Sequence, residues 1–224
     1  MADELRVTLE IGPKGKRAAA VAADWPGLER GAKTEEAAIA RLQAYLPRYA
    51  PVATLAGMGA QFAASAASAN VNVIERYSGT GSTDFWGISF AFSRIDQQAM
   101  SSDELERELT LMQACWAFFD AVRSRVSAEM QKGPRGGGRN RDRIIGHTLG
   151  AEQDWATKLG VRAPEGALLT DAGLRAYRDA YCTAIRAFHA EGKPARAWPL
   201  RYLIRHTAFH TLDHAWEMED KDLT

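Results

Sequence analysis

From residue 101 onward, apolar residues recur at spacings of three and four. In 101–133, Leu105, Leu109, Met112, Trp116, Phe119, Val122, Val126 and Met130 form one stripe, which predicts a helix with one buried face. Ser101 and Glu104 stand at capping-box spacing at its start and Gly133 at its end. A glycine-rich basic connector, "GPRGGGRNRDR" (133–143), follows. A second stripe runs through Ile144, Thr148, Trp155 and Leu159. A third runs through Leu174, Tyr177, Tyr181, Ile185 and Phe188, between a Thr170 cap and a Gly192 stop. The last helix is placed near Pro199, a residue suited to a first helical position. Four amphipathic helices of this kind predict a four-helix bundle over 98–224 that folds on its own from about residue 101.

The first hundred residues carry a different pattern. "LRVTLEI" and "KRAAAVAA" read as short extended segments around the turn signal "GPKG". "DWPGLERGAKTEEAAIARLQAYL" reads as a Pro-Gly loop and then a helix capped at Thr34, with Glu35 and Glu36 in its first turn. The Ala/Gly/Ser-rich stretch 53–69 fits either a short helix or a linker. "VNVIERY" and "WGISFAFS" alternate apolar and polar residues, as half-buried strands do. The pattern predicts a small α+β domain over 1–97, followed by the all-α domain.

Composition narrows the function classes. Of 224 residues, 28 are Lys or Arg and 28 are Asp or Glu, and the balance holds in both halves. No basic field is present to draw nucleic acid, and no polybasic or long apolar segment to draw a membrane. Cys115 and Cys182 are the only cysteines, which suggests reduced thiols in a cytoplasmic protein rather than a disulfide framework.

The candidate chemistry lies in "RYLIRHTAFHTLDHAWEMED" (201–220), where His206, His210 and His214 are each four residues apart. Steps of four on a helix drift by about 40° and rise about 6 Å. The three imidazoles therefore share one stripe, flanked by Tyr202, Phe209 and Trp216 on one side and Ile204, Ala215 and Met218 on the other. That placement turns them toward the interior. An i, i+4 pair shares one metal ion easily, whereas all three on one ion would be strained. His210 belongs to either pair, and a third ligand must come from another helix. His147, mid-helix in the second segment, is the natural candidate. His189, in the last turn before Gly192, suits a plain role at a negative helix end.

The stretches "IIGHTLGAEQDW" and "RHTAFHTLDHAWEMED" resemble the DinB-like superfamily, which includes mycothiol- and bacillithiol-dependent transferases. The resemblance implies one histidine from the second helix and two, four apart, from the last, binding a divalent metal. By it the ligands are His147, His210 and His214, and His206 faces a ligand histidine or the substrate. Zinc or nickel is the metal implied first, with iron or manganese as alternatives. This chain has "DHAWE" where "HHRGQ" is commoner in the family, so the substrate class does not carry over. "VAADWPGLERGAKTEEAAIARL" resembles, over a short span, a HicB-like antitoxin domain.

An open site with three imidazole ligands can activate a bound water or thiolate. The resemblance implies the second use, with a low-molecular-weight thiol attacking a small electrophile. The alternative is a metal-stabilised binding or stress-response module without turnover, and a homodimer fits either. Glu217 is read as a catalytic candidate, orienting a ligand histidine or taking a proton, against a plain salt-bridge role. Asp213 and Glu152 are further carboxylates within sequence reach of the site. Arg135 and Arg139 are read as binding an anionic group of a cofactor or substrate. The two cysteines are read as packing residues.

Overall fold

The computed structural model describes residues 4–67, 71–133 and 138–224. A small four-stranded mixed sheet comes first and a mostly helical region follows. Strands β1 (Leu5–Ile11) and β2 (Ala18–Ala22) form an antiparallel hairpin, closed by Gly12 N–H donating to the Arg17 carbonyl at 2.9 Å. Strand β3 (Glu29–Ala32) pairs with β2. The segment "ERGA" has no alternation to mark it, and the sequence pattern assigns it to a loop. Helices α1 (Glu35–Ala44), α2 (Leu46–Leu55) and α3 (Gly59–Ala66) follow. Thr34 caps α1 by accepting from the Ala37 N–H at 3.2 Å. Strand β4 (Val71–Ser78) then returns parallel to β1, giving the order β3-β2-β1-β4.

The expected strand "WGISFAFS" is not one. The short helix α4 (Gly81–Trp86) takes its first residue, and Gly87–Ser93 is irregular up to helix α5 (Arg94–Gln97). Two buried carboxylates explain why. Glu10 accepts the N–H groups of Phe90 and Ala91 at 3.0 Å each, and Glu29 accepts that of Ser89. These side chains take the backbone hydrogen bonds that a neighbouring strand would have taken.

Helix α6 (Ser102–Arg125) begins with the expected capping box, Ser101 N–H to Glu104 at 2.7 Å and Glu104 N–H to Ser101 at 3.2 Å. It stops well before Gly133. The chain instead turns to meet the end of the last helix, with Ser127 N–H donating to Asp222 at 2.9 Å and Gln131 N–H to the Lys221 carbonyl at 2.8 Å. Val126 and Met130 stay buried against Ile144, Ala215 and Met218, which preserves their stripe without a helix. Helices α7 (Arg141–Ala156), α8 (Asp171–Ala190) and α9 (Leu200–Asp220) complete the fold. Pro199, in extended backbone, is the cap of α9 rather than its first residue.

Helix α9 is central. Of its 21 residues 15 are buried, and it packs against α5, α6 and α7. One apolar cluster joins Leu9, Trp25 and Leu28 of the N-terminal part to Leu109 and Met112 of α6 and Leu203, Leu212 and Trp216 of α9. The core therefore runs across the boundary read at residue 97. The approach is close at Gly27, where φ is 95° and an added Cβ would lie 2.7 Å from Leu212 Cδ1. Among the described residues, no helix is long and apolar enough to cross a membrane.

Candidate metal centre

Two helices bring three imidazoles together. Asn140 caps α7 by accepting from the Arg143 N–H at 3.0 Å, and His147 lies two turns further on. His210 and His214 occupy successive turns of α9, which packs against α7. Ring centroids are 5.1 Å apart for His147 and His210, 4.9 Å for His147 and His214, and 4.5 Å for His210 and His214. One nitrogen from each ring lies within 4.8 Å of the others. Burial is graded, from exposed His147 through half-buried His210 to buried His214, so the cluster opens to solvent at its α7 side.

Protonation favours lone pairs here. Burial, reinforced by His214 and the other histidines, depresses His210 to about 2. Partial burial and then the Arg139 guanidinium lower His147. A neutral imidazole offers a ligand nitrogen where an imidazolium cannot. Nδ1 of His210 is buried without a hydrogen-bond partner, an exception among buried polar atoms that fits a site built for a ligand.

Glu217 combines the two roles weighed for it. One oxygen lies 2.7 Å from His214 Nδ1, and the other accepts from Lys221 Nζ. The contact to His214, and then that to Lys221, draw the Glu217 carboxyl down to about 2, so it is ionised. A carboxylate accepting from Nδ1–H fixes the ring orientation and turns Nε2 toward the other two histidines. Glu217 is thus a positioning group for His214. Lys221, not singled out from the sequence, was legible only as an i, i+4 partner of Glu217.

Asp213 and Glu152 are committed elsewhere. Asp213 accepts from Arg30 at 2.8 Å, and the Arg30 guanidinium rests on the rings of Tyr45 and Trp216 at 3.6 and 4.3 Å. Glu152 is buried with Arg178 at 3.2 and 3.3 Å. His206 stands apart from the trio in an aromatic cage. It stacks on Tyr202 at 5.1 Å and meets Trp155 at 4.8 Å and Trp198 at 5.6 Å. Trp155 also meets His210 at 5.0 Å and so bridges the cage to the cluster, a role its place in an apolar stripe did not disclose. His189 lies in the last turn of α8, as expected, and its Nε2–H donates to the Met100 carbonyl at 2.8 Å.

Arg139 is exposed in a recess of about 150 Å³ with Lys132 and Arg143. Arg135 lies outside the described residues. Cys115 and Cys182 are buried free thiols; burial raises both, Cys182 to about 11, which suits packing rather than reactivity. Searches of protein-family models, curated proteins and solved structures find no match to this chain.

Proposed function

We propose that this chain binds one divalent metal through His147, His210 and His214, and that the metal serves a thiol-linked transfer or a hydrolysis. The observation that carries the reading is the convergence of three imidazoles from two helices, two of them held neutral. The finer architecture proposed with it is a DinB-like four-helix bundle of α6, α7, α8 and α9. Zinc or nickel suits the imidazole donors, with iron or manganese as alternatives.

Each residue has a part. Glu217, held by Lys221, orients His214. Trp155 walls one side of His210 against water. Arg139, at the open side, would meet an anionic group on the incoming thiol or electrophile. A divalent ion there would lower the pKa of a bound water or thiol and so supply a nucleophile near neutral pH.

The recess at Arg139 favours a second reading. Its 150 Å³ falls below the roughly 300–1,000 Å³ of most small-molecule sites, which suits a metal-stabilised, non-catalytic module with a HicB-like N-terminal part. Metal-loaded protein incubated with a low-molecular-weight thiol and a small electrophile separates the two. Thiol-dependent consumption of the electrophile, lost in His210→Ala, supports the enzyme. Stoichiometric metal with no turnover, and a melting temperature lowered by chelation, supports the module. Protein purified and reconstituted without metal uptake would sink both.

A further inference from the structure

A polar cleft of about 510 Å³ lies where the sheet meets helices α5, α6 and α9, within the size range of small-molecule sites. It is separate from the histidine cluster. Arg201, on its wall, precedes His210 by nine residues, about half a turn away around the helix axis, so the two face opposite sides of α9.

Most charges in this cleft are already matched. Arg6 pairs with Asp24, Arg94 with Glu75, and Arg201 with Glu104 and Glu108. Two adjacent residues of α6 keep spare capacity. Arg107 donates once, to the Asp24 carbonyl at 2.6 Å, and rests on the Trp25 ring at 4.8 Å. Among the described residues no carboxylate lies within salt-bridge reach of it. Glu108 is 4% exposed, and its Oε2 is buried without a hydrogen-bond partner. Burial raises its carboxyl to about 7, and an oxygen so buried is costly unless a donor meets it. A recess of about 10 Å³, near the least that one water needs, adjoins Glu108, Arg201 and Arg205.

The cleft thus offers one guanidinium and one carboxylate, side by side, to a ligand with the opposite pair of charges. We propose that it binds a small zwitterion, an amino acid or a short peptide with free termini, its carboxylate on Arg107 and its ammonium group on Glu108. A simple anion would leave Glu108 Oε2 without a donor and a simple cation would leave the Arg107 guanidinium without a carboxylate, so neither uses both groups.

The test uses the full chain, with the twenty free amino acids and the dipeptide alanyl-alanine as probes, read by thermal shift and then by calorimetry. At least one zwitterion should raise the melting temperature. N-acetylation or C-terminal amidation of the best probe should each weaken binding by roughly tenfold or more, the worth of one charge-assisted hydrogen bond. Arg107→Gln, at a partly exposed position, should weaken binding by a similar factor, and Arg107→Lys should recover part of it. A chelator should change nothing, which separates this site from the histidine cluster. If no probe shifts the melting temperature, the cleft is merely hydrated and the proposal fails. It fails equally if the blocked forms bind as well as the free ones, or if Arg107→Gln binds normally.

Discussion

The two sides of helix α9 treat their polar side chains differently. Toward the sheet, Arg205 donates to Asp96 at 2.6 and 2.7 Å, to Ser89 Oγ at 3.1 Å and to the Ala91 carbonyl at 3.3 Å, and its Nη1, without a hydrogen bond among the described residues, is ion-paired with Glu29 at 3.5 Å. Toward α7, His206 and His210 each keep a buried Nδ1 without a hydrogen-bond partner among the described residues. The first side uses charge to fasten the irregular segment 89–96 to the helix. The second holds lone pairs in reserve. A buried charge paired on several sides reads as structure, and a buried lone pair with no partner reads as a place for something else.

The largest expected effect breaks the fastened side. Arg205→Leu leaves Asp96 buried with no cation within salt-bridge reach among the described residues, and removal of one partner of a buried pair costs about 3–5 kcal/mol. Urea unfolding of the variant should show that loss; a change near zero would mean the pairing is incidental. A fragment of 101–224 should lack cooperative thermal unfolding for the same reason, since it leaves α9 without Asp96, Glu29, Trp25 and Leu28.

On the open side, His210→Ala should abolish stoichiometric metal uptake while barely changing the stability of the metal-free protein relative to Arg205→Leu. His206→Ala should keep the metal, because the aromatic cage holds that ring away from the trio. Equal loss of metal in the two variants would show that the wrong histidines have been paired. Glu217→Gln should weaken metal binding by about 10–100-fold, the usual effect of removing a group that orients a ligand.

The two sides should also answer pH with opposite signs. Burial, opposed by Arg205 and the Ser89 N–H, raises Glu29 to about 8 from an ordinary 4.5. Folded protein then binds a proton that the unfolded chain has released, so this group's contribution falls as pH rises from about 4.5 to 8. Burial lowers His206 to about 3 and His210 to about 2, both from an ordinary 6.5. There the unfolded chain takes up protons first, so stability is retained above about 6.5 and declines as pH falls below it toward the folded values. Glu29→Gln should flatten the loss on the alkaline side and leave the acid limb; stability measured from pH 4 to 8 checks both. The smallest effect is Asn140→Ala at the start of α7, about 1 kcal/mol, with metal stoichiometry unchanged.

Local signals were legible in the sequence. The turn signal between β1 and β2, the alternation of β4, the caps at Thr34, Ser101 and Thr170, and the stripes of the four long helices all have their determinants within a few residues. What was not legible depends on distant partners. "WGISFAFS" alternates like a strand, yet Glu10 and Glu29, some 60 to 80 residues away, claim its backbone. The end of α6 is set by Asp222 and Lys221. The site divides in the same way. The spacing of His210 and His214 and the mid-helix position of His147 were open to reading. The removal of Asp213 and Glu152 by Arg30 and Arg178 was not, because each pairing is made only in the folded chain.

The central claim is that three imidazoles from two helices hold one divalent ion. X-ray absorption at the zinc edge of the zinc-loaded protein tests it most directly, because imidazole rings give a distinct outer-shell scattering pattern. The account predicts nitrogen or oxygen neighbours at about 2.0–2.1 Å with three imidazoles, falling to two in His147→Ala. Sulfur neighbours, or an imidazole count that does not change in His147→Ala, would contradict it.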